Sequence, residues 1–121
     1  MSKPSAPSIG FHFRLYVGAP PGSGKLGVTE RFEIFQRVAC YFPGFFSYEG
    51  QGFFEGDWED CLCVEVATIK PMDLLELARD LREALNLVAV GVSWSGIYQR
   101  VLADSDLDEI LGRWKLPELP A

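Results

Sequence analysis

The chain lacks the features that mark a membrane-anchored or a secreted protein. No run approaches the roughly 18 uncharged apolar residues that a membrane-spanning helix needs. Residues 1–10 contain prolines and serines where a signal peptide has an apolar stretch. The three cysteines, Cys40, Cys61 and Cys63, form no Cys-x-x-Cys pair, which is typical of a reducing compartment. We therefore expect a cytoplasmic protein that binds no membrane.

Histidine and positive charge are also scarce. His12 is the only histidine, and no cluster of cysteine and histidine has metal-ligand spacing, so we expect neither a metal nor a cofactor. The net charge of −6 argues against a nucleic-acid partner, because such binding depends on basic groups that neutralise phosphates. Residues 38–69 hold six acidic residues and no basic one, so the negative charge is concentrated in the centre of the chain.

A segment rich in glycine and proline, from Ala19 to Lys25, resembles a phosphate-binding loop. Such a loop needs a hydroxyl residue after its lysine to hold magnesium, and Leu26 occupies that position. The following helix is also predicted to begin near Thr29, too late for its first amides to face a phosphate. We interpret the segment as a connection between a strand and a helix.

Hydrophobic periodicity predicts six regular elements and a tail. Alternating residues predict strands, and spacings of three and four predict helices. The predicted strands are 11–17, 45–55, 61–69 and 87–101, and the predicted helices run from Val28 to Phe42 and from Pro71 to Asn86. Residues 56–60 are turn-like, and a short helix is predicted between Asp104 and Trp114.

This order of elements resembles that of ferredoxin-like domains, in which β-α-β-β-α-β units build an α+β fold. The resemblance implies a four-stranded antiparallel sheet with two helices on one face. Right-handed crossovers place strand three beside strand one at the centre, with strand two and strand four at the edges. We predict a flexible leader over residues 1–10, a single domain over 11–102 and an acidic tail over 103–121 that includes the short helix.

The main functional hypothesis is a non-enzymatic protein-binding domain, such as a small acidic inhibitor of the antitoxin or anti-defence type. Its basis is a hairpin in which aromatic residues alternate with acids that have no neighbouring base. Aromatic side chains supply contact area and carboxylates attract a basic partner. The predicted binding residues are Tyr48, Glu49, Glu55, Asp57, Trp58, Glu59 and Asp60.

Two alternatives remain open from the sequence. A small-molecule sensor or a dimeric α+β barrel enzyme would have a pocket near four residues that carry imidazole, phenol, carboxylate and indole groups: His12, Tyr16, Glu65 and Trp94. A structural protein would instead form a homodimer through the open face of the sheet. A fold of this type hosts many functions, so the resemblance alone does not select among them.

Overall fold

The structure is a computed structural model, and it describes residues 9–120 with the exception of the Phe54 side chain. Most of the leader predicted over residues 1–10 therefore lies outside the described residues. The described part contains five strands and three helices. In chain order they are β1 (Phe11–Gly18), α1 (Val28–Tyr41), β2 (Phe46–Phe54), β3 (Asp57–Thr68), α2 (Pro71–Ala84), β4 (Ala89–Trp94), β5 (Ile97–Leu102) and α3 (Leu107–Trp114).

The strands form one antiparallel sheet in the order β2-β3-β1-β4-β5. The α+β class and the antiparallel sheet are confirmed. The number of strands is wrong, because the predicted strand 87–101 is two strands joined by a tight turn. Ser95 and Gly96 both have positive φ in that turn, at 48° and 82°, which is the geometry of a two-residue hairpin connection. The additional strand, β5, extends the sheet beyond β4.

The hairpin between β2 and β3 turns earlier than predicted. Its connection consists of Glu55 and Gly56, which have positive φ of 50° and 89°. Asp57–Asp60, part of the segment expected to be a turn, instead belongs to β3 and pairs with β2. Because successive side chains of a strand point to opposite faces, these four residues are distributed between the two faces of the sheet.

The hydrophobic core lies on the side of the sheet that the helices cover. Phe13, Leu15 and Val17 of β1 are fully buried there, while the alternate residues of this strand face the other way. Helices α1 and α2 contribute Ile34, Val38 and a row of leucines to the same core. The opposite face of the sheet carries no helix within residues 9–120.

The short helix predicted between Asp104 and Trp114 forms as α3, in addition to the two helices that the ferredoxin-like resemblance implies. The Asp106 carboxylate accepts a hydrogen bond from the Glu109 amide at 3.2 Å and caps the helix. Trp114 is 2% exposed and packs on Phe13 of β1, with 5.3 Å between ring centroids. No helix in the described residues is long and apolar enough to cross a membrane.

Candidate active site

A pocket of about 520 Å³ opens on the helix-free face of the sheet. Its floor consists of small residues on three adjacent strands, which are Gly18, Cys61, Ala89 and Gly91. The surrounding side chains come from strands and loops and are Tyr16, Ala19, Pro21, Glu55, Glu59, Leu87, Val88, Tyr98 and Arg100. The volume falls within the range of about 300–1,000 Å³ that is typical of small-molecule sites.

The register of the strands explains why the sheet has a depression at this place. Gly18 of β1 lies opposite Cys61 of β3, and Gly91 of β4 lies opposite Tyr16 of β1. Two glycines and a cysteine thus come together on neighbouring strands, and little side-chain volume covers the backbone there. Larger residues around this area then form the rim of a pocket.

Glu59 is the partly buried carboxylate of this pocket. Burial raises the pKa of its carboxyl group, and no charged partner among the described residues offsets that effect. The Oε1 atom lies 2.6 Å from the point that a Cβ atom would occupy at Gly18, so the carboxylate rests on the glycine backbone. An unpaired carboxylate in a concave site is suited to bind a cationic group or to accept a proton.

Two tyrosines form an aromatic side of the pocket. The rings of Tyr16 and Tyr98 meet edge to face with 5.8 Å between centroids. The Tyr16 hydroxyl lies 3.2 Å from the Ser93 hydroxyl, which fixes the direction of its ring. Burial raises the pKa of the Tyr98 hydroxyl, while the positive charge of nearby Arg100 acts in the opposite direction. The pocket lining therefore includes an aromatic surface and a guanidinium group in addition to the carboxylate of Glu59.

Cys61 lies in the floor of the pocket, where its thiol is partly buried. Burial raises the pKa of its thiol to about 12, and the proximity of Cys63 and Glu59 adds to the effect. The thiol is therefore protonated at neutral pH, and only a thiolate attacks substrates or binds metals well. Residues 9–120 also contain no group of three or more histidine, cysteine, aspartate or glutamate residues placed to hold a metal ion.

The loop between β1 and α1 forms one wall of the pocket through Ala19 and Pro21. Asp60 of β3 holds this loop at three points: its carbonyl oxygen accepts from the Ala19 amide at 3.1 Å, its amide donates to the Gly24 carbonyl at 2.8 Å, and its carboxylate accepts from the Leu26 amide at 2.9 Å. The Leu26 amide is therefore already hydrogen-bonded, and helix α1 begins only at Val28. The helix therefore does not begin directly after Lys25, as it does in a phosphate-binding loop.

A second polar cluster lies on the same face, farther along the sheet. His12 Nε2 is 2.7 Å from one carboxylate oxygen of Glu65, and Arg14 Nε is 3.7 Å from the other. Partial desolvation raises the pKa of Glu65, but hydrogen bonds with Tyr48 and His12 and the charge of Arg14 lower it overall. The carboxylate of this cluster is thus held in its ionised form by neighbours, in contrast to the unpaired Glu59.

The four residues of the predicted alternative pocket do not form one site. His12, Tyr16 and Glu65 share the open face of the sheet. Trp94 lies on the opposite face, where it meets the ring of Phe11 edge to face at 6.3 Å. Strand alternation explains this difference, because Trp94 has the same parity as the buried residues Val90 and Val92.

The predicted partner-binding residues are likewise divided between the two faces. Tyr48 and Glu59 face the open side, since Tyr48 lies opposite Cys63 and Glu59 lines the pocket. Glu49 lies opposite the buried Leu62 and forms an ion pair with Arg31 of α1. Asp60 holds the loop between β1 and α1. Trp58 is 66% exposed and lies beside the ring of Phe53.

The last two predicted residues lie near the pocket side. By register, Asp57 lies on the same face as Glu59. Glu55 is in the turn between β2 and β3 and lines the pocket.

Several residues of the pocket had no signal in the sequence analysis, above all Gly18, Gly91, Tyr98 and Arg100. The predicted strand 11–17 ends before Gly18, and Gly91 lies within the single predicted strand 87–101, so the sequence pattern singles out neither glycine. Tyr98 and Arg100 line the pocket because the chain reverses at Ser95 and Gly96. Recognising the Ser-Gly pair between two apolar runs as a hairpin turn could have found them.

Comparison with known proteins finds similarity in structure but not in sequence. No protein-family model matches the chain, and no curated protein sequence matches it significantly. A solved structure described as a phage SAM lyase in complex with S-methyl-5′-thioadenosine is similar with a TM-score of 0.55 and 17% identity, covering 88% of this chain and 99% of the other. The apo state of a phage SAM lyase gives a TM-score of 0.54 and 16% identity over the same shares of the chains.

This similarity corrects the main functional hypothesis. The predicted non-enzymatic protein-binding domain is wrong, because the solved chains that share the fold over 99% of their length are described as an enzyme. The distribution of the acids gives the physical reason, since Glu49 and Asp60 have intramolecular partners and Glu59 faces a pocket. The predicted basic partner and the homodimer through the open face stay predictions.

Proposed function

We propose that this protein binds S-adenosylmethionine in the open-face pocket and cleaves it as a lyase. The proposal rests chiefly on the fold that the chain shares, over 88% of its length, with the phage SAM lyase structures. One of those structures holds S-methyl-5′-thioadenosine, the part of S-adenosylmethionine that remains when its four-carbon amino-acid chain leaves. An identity of 17% shows a shared fold but not a shared chemistry. Further support for the proposed activity must therefore come from the residues of the pocket.

The charges of the pocket complement those of S-adenosylmethionine. This molecule carries a sulfonium, an ammonium and a carboxylate group, and its net charge is therefore positive. The pocket contains the carboxylates of Glu55 and Glu59 and the guanidinium group of Arg100, so its net charge is negative. We assign Glu59 to the cationic groups and Arg100 to the carboxylate, for which its planar guanidinium is suited. The overall charge of −6 also favours the approach of a cation.

The aromatic side of the pocket suits the remaining parts of the same ligand. Aromatic rings attract a cation through their faces and stack on planar bases. Tyr98 is half exposed, lines the pocket and lies over Gly91 of its floor. It is thus available to contact the adenine ring or the sulfonium group, while Tyr16 is fixed by Ser93.

The proposed reaction breaks the bond between the sulfonium sulfur and the four-carbon chain. The bonding electron pair moves to sulfur, which becomes a neutral thioether, so the leaving group needs no general acid. A desolvated pocket favours this loss of charge. The four-carbon fragment is completed either by attack of its own carboxylate, which gives a lactone, or by loss of a proton to a base, which gives an alkene. In the second route we assign the role of that base to Glu59, because it is the partly buried carboxylate of the pocket.

The direct test is incubation of the purified chain with S-adenosylmethionine, followed by mass spectrometry for S-methyl-5′-thioadenosine and NMR of the second product. Glu59→Gln removes the charge at nearly constant size and is expected to reduce the rate by about 100-fold or more. Glu49→Gln is the matched control, because Glu49 lies on the helix side of the sheet and pairs with Arg31. A protein that neither binds nor cleaves S-adenosylmethionine would overturn the proposal.

A further inference from the structure

Two side chains of the pocket rest directly on glycines of its floor. The Glu59 Oε1 atom lies 2.6 Å from the position that a Cβ would take at Gly18. The Tyr98 ring lies over Gly91, with its hydroxyl oxygen at 2.6 Å and its Cε2 atom at 2.7 Å from the corresponding Cβ position. Non-bonded heavy atoms prefer separations of about 3.5–4.0 Å, so neither side chain could keep its place beside a methyl group.

Backbone conformation does not require glycine at these two positions. Gly18 and Gly91 are strand residues, and neither has the positive φ that Gly22, Gly24, Gly56 and Gly96 have. At Gly18 the atoms that an added Cβ would meet within 4 Å belong only to the Glu59 carboxyl group. The role of these glycines therefore concerns the side chains above them.

We propose that Gly18 and Gly91 are positioning residues that place the Glu59 carboxylate and the Tyr98 ring in the pocket for S-adenosylmethionine. The inference rests on the proposed function for the identity of the ligand, but the placement itself is independent of any ligand. Neither glycine supplies a chemical group. Because each glycine has no side chain, the Glu59 carboxylate and the Tyr98 ring can lie close to the backbone of the sheet.

The expected consequence at Gly18 follows from the flexibility of glutamate. An added methyl group pushes the far end of the Glu59 side chain away from the sheet and toward solvent. The desolvation that raises the pKa of Glu59 is then relieved, and the pKa moves down toward its ordinary value. Other titratable or charged groups that line this pocket are Tyr16, Glu55, Cys61, Tyr98 and Arg100, and the substitution leaves all of them in place.

The first experiment is a carboxyl titration by NMR of the whole chain without ligand. Gly18→Ala is expected to lower the pKa of Glu59 relative to the unsubstituted protein. Gly50→Ala is the matched control, because Gly50 lies opposite Cys61 on the same sheet and has no heavy atom within 4 Å of its Cβ position. The control is expected to leave the Glu59 titration unchanged. An unchanged titration in Gly18→Ala, with the fold retained, would overturn the proposal at this position.

The corresponding arm at Gly91 follows the ionisation of Tyr98. Burial raises the pKa of this hydroxyl, and Gly91→Ala must move the ring off the backbone into more solvent. The NMR titration of the Tyr98 ring is therefore expected to shift down in Gly91→Ala and to stay in place in Gly50→Ala. A ring that titrates as before in Gly91→Ala would limit the positioning role to Gly18.

The second experiment tests rescue. Glu59→Asp shortens the side chain by one methylene group and makes room for a methyl group at Gly18. Gly18→Ala alone is expected to reduce cleavage on the order of a hundredfold, which is typical of a small misplacement of a reacting group. The double variant Gly18→Ala with Glu59→Asp is expected to recover activity relative to Gly18→Ala. Equal losses in the two variants would count against a direct contact between these positions.

The outcomes separate this inference from the proposed function. If the titrations shift as expected but S-adenosylmethionine is not bound, the placement is correct and the ligand is wrong. If S-adenosylmethionine is cleaved equally well by the unsubstituted chain and by both alanine variants, the function is correct and the positioning role is wrong.

Discussion

The two faces of the sheet use the same strands for different purposes. On the helix side, Phe13, Leu15 and Val17 of β1 are fully buried in a close-packed core. On the open side, the alternate positions of β1 carry His12, Arg14, Tyr16 and Gly18, and a pocket forms around the last two. The contrast shows that the core and the pocket are separated by residue parity along one strand. Substitutions at adjacent positions should therefore have different effects.

The largest expected effect is on the helix side. Phe13→Ala removes a fully buried ring that packs on Trp114, and it should reduce the free energy of unfolding by about 3–5 kcal/mol. Arg14→Ala, one residue away on the exposed face, is the matched control and should change it by about 0.5 kcal/mol or less. Urea denaturation measures both values. Similar losses in the two variants would break the separation of the faces.

An intermediate effect is expected at Asp60, which holds the loop that lines the pocket. Asp60→Ala removes the carboxylate that accepts from the Leu26 amide at 2.9 Å, while the main-chain bonds to the loop can remain. We expect a loss of about 1.5 kcal/mol, since a charged hydrogen bond at a partly buried site is broken. The affinity for S-adenosylmethionine should also fall, because Ala19 and Pro21 of this loop line the pocket. Asp57→Ala, on the same hairpin, should leave both quantities close to those of the unsubstituted protein.

The smallest expected effect has the opposite sign. Burial raises the pKa of Glu59 in the folded chain above its value in the unfolded chain. At any pH between these two values, the folded state therefore holds more protons than the unfolded state. The free energy of unfolding therefore decreases over this range, and at neutral pH the charged carboxylate is a cost to folding. Glu59→Gln should raise the melting temperature slightly at pH 7 while it abolishes most of the cleavage. A lower melting temperature would mean that Glu59 also supports the fold.

Much of the architecture could be predicted from local sequence patterns. The alternation in β1 and the spacing of apolar residues in α1 and α2 reflect burial directly, so the class of fold follows from the residues. The order β2-β3-β1-β4 was implied by the resemblance to ferredoxin-like domains together with right-handed crossovers. The prediction of a single strand over residues 87–101 is wrong, because the two-residue turn at Ser95 and Gly96 divides it into β4 and β5. In a continuous strand, Tyr98 and Arg100 would lie beyond Trp94 and far from the pocket. They reach the pocket only because β5 folds back to pair with β4.

The candidate site was harder to predict because it depends on residues that lack side chains. Glu59 was identified, but as part of a continuous acidic surface from residue 48 to residue 60. Strand alternation separates that segment, so nearness in sequence did not mean nearness in space. Gly18 and Gly91 lie 73 positions apart in the chain and line the same pocket only because β1 pairs with β4. No local pattern reveals such a meeting.

The main-chain floor of the pocket has a consequence for how this protein evolves. Its base is the backbone of three strands, while much of its selective rim, including Glu55, Pro21 and Val88, lies in turns and loops. Loop residues accept substitution far more readily than core residues. Substitutions at these rim positions could therefore change which molecules fit the pocket without disturbing the buried layer beneath. Distant descendants would then keep the fold while most of their residues differ.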